Sequence, residues 1–205
     1  MKILYGTGNK EKILQMKKII QINNFDVEIL GLKDINFNED IIEDGKTFEE
    51  NSKIKAQAIR EFCNKNGYSD VIIITDDAGL CVDKLNGEPG VYSARYAGDH
   101  APQQVVLEKL LKNMNIYKDD AERSAQFVCV LTASLPNGEF IVSRGESKGI
   151  VAKQIGKLGG LTYEPIFVPI GFSKPLSEMS VEEFAKVKNH RDLAMIDMFN
   201  KLKSL

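Results

Sequence analysis

The sequence predicts an α/β protein with a mixed β-sheet. Strand and helix patterns alternate as βαβαβ through the first half of the chain, and the second half adds a β-hairpin and ends with a helix. Two capping boxes, Thr47–Glu50 and Ser180–Glu183, mark helix starts, because in each a Thr or Ser precedes a Glu by three residues. The length fits one large domain or two small lobes.

Periodicity and flanking residues define the elements of the first half. The strand at 2–6 breaks at Gly6, and apolar residues at helical spacing follow Asn9. Residues 84–102 are typical of a loop, and within them the stretch 87–98, punctuated by Gly and Tyr, predicts a structured loop. In chain order we expect a strand at 2–6, a helix after Asn9, a strand at Val27–Leu30, a helix from Thr47 to Asn66, a strand at Val71–Thr75 and a helix at about 102–113.

Turn signals define the elements of the second half. Pro136-Asn137-Gly138 separates two strand patterns and therefore predicts a β-hairpin. Pro169 indicates that the strand around it lies at a sheet edge or ends there. We expect strands at 124–134, 139–144 and 166–170, a glycine-rich loop at 156–160 and a last helix with Leu193, Ile196, Phe199 and Leu202.

Charge and composition exclude several classes of protein. There are 27 basic and 29 acidic side chains, and the net charge of −2 argues against a protein that binds nucleic acid. The longest aliphatic run, Val71–Ile74, is far short of the roughly 20 residues that span a bilayer, and we expect no secretory signal. Three cysteines without a C-x-x-C pair disfavour a disulfide framework, so we expect a cytoplasmic protein.

The segment Thr7–Lys12 lies between a strand and a helix and is a candidate anion site. The first-turn amides of the helix should be unpaired and directed at the loop, and Lys12 is close enough to reach the same anion. The alternative is an ordinary helix capped by Asn9, because a strand, a glycine and a helix often follow one another. The sequence is not a Walker A motif.

Acidic residues in two further segments are candidate ligands of a hard cation. Asp76 and Asp77 follow a buried strand, and adjacent residues on an extended chain point to opposite faces, although an Asp-rich solvated turn would have the same sequence. Glu43 precedes a helix that carries Lys55. With only two histidines, a metal site would need carboxylates, which select Mg²⁺ or Mn²⁺. Together with Thr7–Lys12, these segments suit a polyphosphate bound with Mg²⁺.

Taken in order, these segments and several others resemble the inosine triphosphate pyrophosphatase family, the XTP/dITP diphosphatases. The resemblance covers nearly the whole chain, and the loop at 87–98 is its most specific part. It implies a two-lobed α/β/α fold of residues 1–205, with a long, twisted mixed sheet and a nucleotide cleft between the lobes. The matching motifs are TGNKEK (7–12), EDGKTFEENSKIKA (43–56), TDDAGL (75–80), GEPGVYSARYAG (87–98), FVCVL (127–131), YEPIF (163–167), EMS (178–180) and NHR (189–191).

The resemblance implies that the protein hydrolyses the α–β bond of ITP, dITP or XTP to give a monophosphate and pyrophosphate. It implies that Glu43 and Asp77 hold Mg²⁺, that Asp77 is also the base, and that Asp76 supports it while Lys55 neutralises phosphate charge. A homodimer is implied as well. The residues implied to hold the triphosphate are Thr7, Gly8, Asn9, Lys10, Glu11 and Lys12.

Departures from the family pattern cluster at the end of the site that would bind the base. Leu161 replaces a Phe that resembles a stacking platform, and Lys186 is the nearest candidate for a family lysine, because position 185 is Ala. We expect His190 and Arg191 to read the 6-oxo carbonyl of inosine or xanthosine, or to grip phosphate. The other residues at this end are Ala78, Thr162, Tyr163 and Glu164, of which Ala78, Thr162 and Glu164 replace Ser, Gly and Asp.

Two alternatives remain beside this hypothesis. The protein could have the same chemistry with an altered or relaxed base preference, as in the related Maf-type pyrophosphatases. It could also be a weakly active nucleotide-binding protein, because the lost aromatic face weakens the expected stacking on the base. The phosphate and metal residues favour an active enzyme with retuned base selection.

Overall fold

The computed structural model describes all 205 residues and contains one six-stranded sheet. The strands are β1 (Lys2–Tyr5), β2 (Glu28–Gly31), β3 (Ile72–Val82), β4 (Ser124–Ser134), β5 (Phe140–Val151) and β6 (Phe167–Pro169). The helices are α1 (Lys10–Ile22), α2 (Phe48–Lys65), α3 (Gln103–Asn113), α4 (Val181–Phe184) and α5 (His190–Lys203).

The strand order is β2-β1-β3-β4-β5-β6. β1 pairs in parallel with both β2 and β3, whereas β5 and β6 are antiparallel. The predicted α/β class and the mixed sheet are therefore confirmed. None of the helices has the length and apolar character that crossing a bilayer requires.

The chain divides into two compact units. The first contains Met1–Asp77, Cys129–Gly145 and His190–Leu205. The second contains Ala78–Val128 and Glu146–Asn189. Strands β3, β4 and β5 contribute residues to both units.

The first unit is organised around β1 and the helix that covers it. In its core, Leu4 of β1 and Ile73 of β3 pack with Ile59 and Cys63 of α2. The capping box that starts α2 is formed as predicted, because Thr47 Oγ1 accepts a hydrogen bond from the amide of Glu50 at 3.1 Å and the Glu50 carboxylate accepts from the amide of Thr47 at 3.0 Å. This start fixes the part of α2 that faces the candidate site.

The second unit has its own core, in which the inner face of α3 packs on strand residues. Val106 and Leu110 are buried against a cluster that includes Leu80 and Phe167, as the helical spacing predicts. Part of the predicted structured loop at 87–98 is a 3₁₀-helix, Gly90–Arg95. The second predicted capping box is present at the start of α4.

Two strands run further than the sequence predicts. β3 was expected to end at Thr75 but continues to Val82, so Asp76 and Asp77 lie within the strand and not beyond its end. β5 extends to Val151, seven residues past the predicted end at Arg144. Most of the buried face in this extension carries Gly and Ser where an apolar residue would signal a strand. The two glycines are required because other backbone segments pass close to them. A Cβ at Gly145 would overlap the backbone of His190, and one at Gly149 would overlap β6.

Candidate active site

A pocket of about 250 Å³ opens in the first unit, next to the carboxyl end of β1. The loop Gly6–Gly8 forms one wall of it. Its charged lining residues are Lys12, Glu39, Asp40, Glu43, Lys55 and Asp76. Lysines suit phosphate oxygens and carboxylates suit hard cations, so a polyphosphate with a divalent cation matches the chemistry of this lining.

Asp76 lies at the bottom of this site, with only 2% of its surface exposed. The Tyr5 hydroxyl donates a hydrogen bond to Oδ1 at 3.0 Å, and Lys12 Nζ donates to Oδ2 at 2.7 Å. Arg191 Nη2 lies 3.6 Å from the same Oδ2. Burial by itself raises the pKa of Asp76, but Lys12, Arg191 and Lys55 outweigh burial and hold the pKa well below its usual value. Asp76 is therefore ionised at neutral pH, and its hydrogen bond fixes Lys12 at the pocket.

Asp77 has different partners from its neighbour. Asn51 of α2 donates from Nδ2 to Asp77 Oδ2 at 3.0 Å, and the same Asn51 accepts from the amide of Gly45 at 2.9 Å. The two adjacent carboxylates therefore contact different elements, as alternation along a strand predicts. Asn51 ties Asp77 to the segment that carries Glu43. Asn51 was not among the predicted site residues, although it precedes Lys55 by one helical turn within the motif at 43–56.

Lys55 and Glu43 form an ion pair at the pocket. Lys55 Nζ lies 2.7 Å from Glu43 Oε2, and both side chains are largely shielded from solvent. The capping box at Thr47 sets the first turn of α2, so Asn51 and Lys55 emerge from the same helix face. The structure thus places Glu43, Lys55, Lys12 and Asp76 around one pocket, although the sequence separates them widely.

The start of α1 corrects one expectation about the anion site. Asn9 Oδ1 accepts hydrogen bonds from the amides of Glu11 at 2.9 Å and Lys12 at 3.4 Å. The expectation that these first-turn amides are unpaired is therefore wrong, and the helix is capped by Asn9 as in the alternative interpretation. Thr7, Gly8 and Lys12 line the pocket, whereas Lys10 is exposed.

His190 and Arg191 begin α5 and are buried within the first unit. Arg191 Nη1 donates to Gln15 Oε1 at 3.4 Å and its Nη2 lies near Asp76, so this guanidinium shares a carboxylate with Lys12. Burial, followed by the charge of Arg191, lowers the pKa of His190 to about 3. The imidazole is neutral at physiological pH, so it can donate one hydrogen bond and accept another.

Replacing His190 with Gln should flatten the pH dependence of stability. The pKa of histidine in an unfolded chain is about 6.5. Between this value and the lower pKa of the folded protein, position 190 is protonated only in the unfolded chain. The contribution of His190 to stability is complete above about pH 6.5 and is lost as the pH falls, by roughly 2 kcal/mol between about pH 7.5 and 5. Urea unfolding of both proteins across this range measures it, and equal pH slopes would contradict the expectation.

The residues expected at the base end that lie in the second unit are mainly on one loop. Tyr163 is buried and donates from its hydroxyl to the carbonyl of Ser93 at 2.8 Å. Glu164 Oε2 accepts from the amide of Leu161 at 3.1 Å, and Thr162 lies between them, half-buried. Away from this loop, Ala78 is half-buried in β3, and Lys186 is exposed just after α4.

Known proteins match this chain over most or all of its length. The dITP/XTP pyrophosphatase of Clostridium perfringens (strain 13 / Type A) is 40% identical over 100% of this chain and 98% of its own. That of Bacillus subtilis (strain 168) is 35% identical over 92% of this chain and 91% of its own. The solved structure of the Staphylococcus aureus Ham1 protein is 33% identical, covers 100% of this chain and 99% of its own, and superposes with a TM-score of 0.84.

A second solved structure, a HAM1 protein from Coxiella burnetii, has the same TM-score of 0.84 at 27% identity and covers 100% of both chains. Residues 3–201 match the Ham1 family. The names of the relatives confirm the resemblance that the sequence motifs indicate. The chain belongs to the Ham1 family.

Proposed function

We propose that this protein is a nucleoside triphosphate pyrophosphatase that acts on non-standard purine nucleotides, namely ITP, dITP and XTP. It cleaves the α–β bond and releases the nucleoside monophosphate and pyrophosphate. The observation that carries the proposal is the convergence of two lysines and several carboxylates on one pocket. The relatives named dITP/XTP pyrophosphatases support both the reaction and the substrate class.

The charges around the pocket supply what phosphoryl chemistry needs. The transition state spreads negative charge over phosphate oxygens, and ammonium groups held in place before the reaction stabilise that charge. Asp76 keeps Lys12 in position, and Glu43 does the same for Lys55. Asp77 is the proposed base: it takes a proton from the attacking water, while Asn51 orients its carboxylate. Thr7 and Gly8 present the loop against which the phosphates bind.

The carboxylates fit a divalent cation that arrives with the substrate. No group of three acidic, His or Cys side chains is assembled to hold a metal ion. Mg²⁺ commonly takes one or two protein carboxylates and completes its shell with phosphates and water. Glu43 and Asp77 are the proposed ligands of Mg²⁺ or Mn²⁺, and the bound ion would neutralise phosphate charge and lower the pKa of its bound water.

Glu43→Gln should bind Mg²⁺ more weakly, because an amide supplies no negative charge to the cation. Calorimetric titration of Mg²⁺ into the protein with a non-hydrolysable ITP analogue measures this affinity, and an unchanged affinity would remove Glu43 as a ligand.

A nucleotide panel with product detection tests the reaction. ITP, dITP, XTP and the standard triphosphates are incubated with protein and Mg²⁺, and pyrophosphate and orthophosphate are measured separately. We expect pyrophosphate as the first product, with preference for the 6-oxo purines of inosine and xanthosine. Orthophosphate as the first product would overturn the assigned bond cleavage.

A second candidate function rests on Leu161, which stands where the family pattern has an aromatic residue. The same pyrophosphatase chemistry with a relaxed, Maf-like base preference would appear in the panel as comparable rates across bases. A weakly active nucleotide-binding protein would bind ITP tightly in calorimetry without releasing pyrophosphate.

Replacing Leu161 with Phe should restore a stacking face for the base. Stacking of a base on an aromatic side chain is worth about 1–3 kcal/mol in complexes with single-stranded nucleic acid, so we expect KM for ITP to fall roughly tenfold. Leu161→Met, which keeps about the same volume and also lacks an aromatic ring, is the matched control. An unchanged KM in Leu161→Phe would show that position 161 does not contact the base.

The resemblance also implies a homodimer, and we retain that as a proposal. Light scattering should then give twice the mass of one chain. The cytoplasm is the proposed compartment, because none of the three cysteines is in a disulfide, as is usual in reducing surroundings.

A further inference from the structure

One glutamine side chain holds the loop that carries Leu161. Gln103 is the first residue of α3, and its Nε2 lies 3.2 Å from each of the carbonyl oxygens of Gly159, Leu161 and Thr162. Its Oε1 accepts from the amide of Gly159 at 3.0 Å. Both ends of the side-chain amide are therefore used on the same loop. The next residue, Gln104, is exposed and donates to Glu108 on its own helix.

The loop has two consecutive glycines at its centre, so its backbone needs side-chain bonds to hold one conformation. Gly159 and Gly160 have φ values of +127° and +67°, a region in which residues other than glycine are strained. A Cβ at Gly160 would also overlap the Glu164 carboxylate, which itself accepts from the amide of Leu161. Two consecutive glycines sample many conformations when unrestrained, so the side-chain bonds from Gln103 and Glu164 select one of them.

The held loop forms part of a pocket in the second unit. This pocket has a volume of about 300 Å³, and Gly159, Gly160 and Glu164 contribute to its lining. Leu158 and Phe184 add apolar surface to the same pocket. Apolar faces combined with a few fixed acceptors suit a flat heteroaromatic ring that carries N–H groups.

We propose that Gln103 is a positioning residue for recognition of the nucleotide base. It acts through the loop Gly159–Glu164, by fixing the backbone and the carboxylate that face the ring. This inference rests on the proposed function, because it assumes a nucleotide substrate whose base binds at this loop. A misplaced loop should weaken selection between bases and leave phosphate binding unchanged.

The test uses Gln103→Glu, which keeps the length and the Oε1 acceptor but turns an oxygen towards three carbonyls. Gln103→Met removes the bonds without adding charge, and Gln104→Glu is the matched control at the exposed neighbour. We expect faster amide hydrogen exchange at 157–164 and a higher KM for ITP. The ratio of kcat/KM between ITP and ATP should fall about tenfold or more, since small misplacements are costly in binding sites. Inhibition by pyrophosphate alone, which reports phosphate binding, should not change, and Gln104→Glu should match wild type.

Several results would overturn the proposal. Unchanged selectivity in both Gln103 variants would show that the loop does not read the base, and unchanged exchange would show that Gln103 does not hold it. Equal weakening of pyrophosphate and ITP would indicate a general structural defect. Exchange of the β4 amides checks folding, and Gln103→Met answers the question if the charged variant unfolds. Failure of the proposed function is seen separately, as wild-type protein that releases no pyrophosphate from ITP.

Discussion

Asp77→Asn should abolish pyrophosphate release and leave the protein folded. Removal of a general base typically lowers a rate by about 10²- to 10⁴-fold, and an amide can neither accept the proton nor contribute a charge to a cation. The amide oxygen can still accept the hydrogen bond from Asn51, so the local structure should survive. The measurement is kcat at saturating ITP and Mg²⁺, paired with a thermal unfolding curve.

The control for this prediction is Asp70→Asn. Asp70 is exposed just before β3, so the same chemical change there should alter neither kcat nor the unfolding midpoint. A fully active Asp77→Asn protein would remove Asp77 as the base. Loss of activity accompanied by a large drop in the midpoint would assign Asp77 a structural role instead.

Local signals in the sequence predicted the helix starts correctly, because their causes are local. At Thr47 and Ser180 the hydrogen bonds that cap the helix join residues three apart, so the pattern alone specifies them. The end of β5 depends on packing and could not be predicted in the same way. Gly145 and Gly149 are buried in that strand because other backbone segments approach them, and no apolar pattern reports such an approach.

In the candidate site, too, some residues could be predicted from local sequence motifs and others could not. Lys12 and Lys55 are visible in the sequence because their motifs are distinctive, whereas Glu39 and Asp40 also line the pocket and were not predicted. The uncharged residues that position the charged ones were not predicted either. Tyr5 has the apolar flanks of an ordinary core residue, and only the register of β1 against β3 brings its hydroxyl to Asp76. Gln103 likewise has no sequence signal that marks its role, because all four of its hydrogen bonds are to residues more than fifty positions away.

Asp76 and Asp77 show why position within β3 matters more than residue type. Both are aspartates in one strand, yet Asp76 is enclosed by Tyr5, Lys12 and Arg191, whereas Asp77 accepts from Asn51. Asp76 is buried, and both of its carboxylate oxygens already accept hydrogen bonds from Tyr5 and Lys12, so it is poorly placed to take a proton from water. The structure therefore separates a charge that organises the site from the one proposed to react.

Asp76→Asn should consequently destabilise the whole protein. Removing one partner of a buried ion pair typically costs about 3–5 kcal/mol, because the remaining charges stay buried without compensation. Here Lys12 and Arg191 would both lose their carboxylate, and we expect a loss of that size in urea unfolding at neutral pH. Activity should fall as well, since Lys12 would no longer be held at the pocket.

An exposed ion pair with the same N–O distance, Asp197–Lys201, provides the control for Asp76→Asn. Asp197 Oδ2 lies 2.7 Å from Lys201 Nζ on α5, the same distance as Asp76 Oδ2 from Lys12 Nζ. The Asp197 and Lys201 side chains, however, are each 44% exposed. Asp197→Asn should therefore cost no more than about 0.5 kcal/mol, as is usual for helix pairs in water. If the double variant Asp76→Asn/Lys12→Met recovers part of the lost stability, the loss in Asp76→Asn comes from the Lys12 ammonium group that no longer has a carboxylate partner. Equal costs at positions 76 and 197 would mean that burial does not govern this cluster, and the proposed role of Asp76 in holding Lys12 would have to be abandoned.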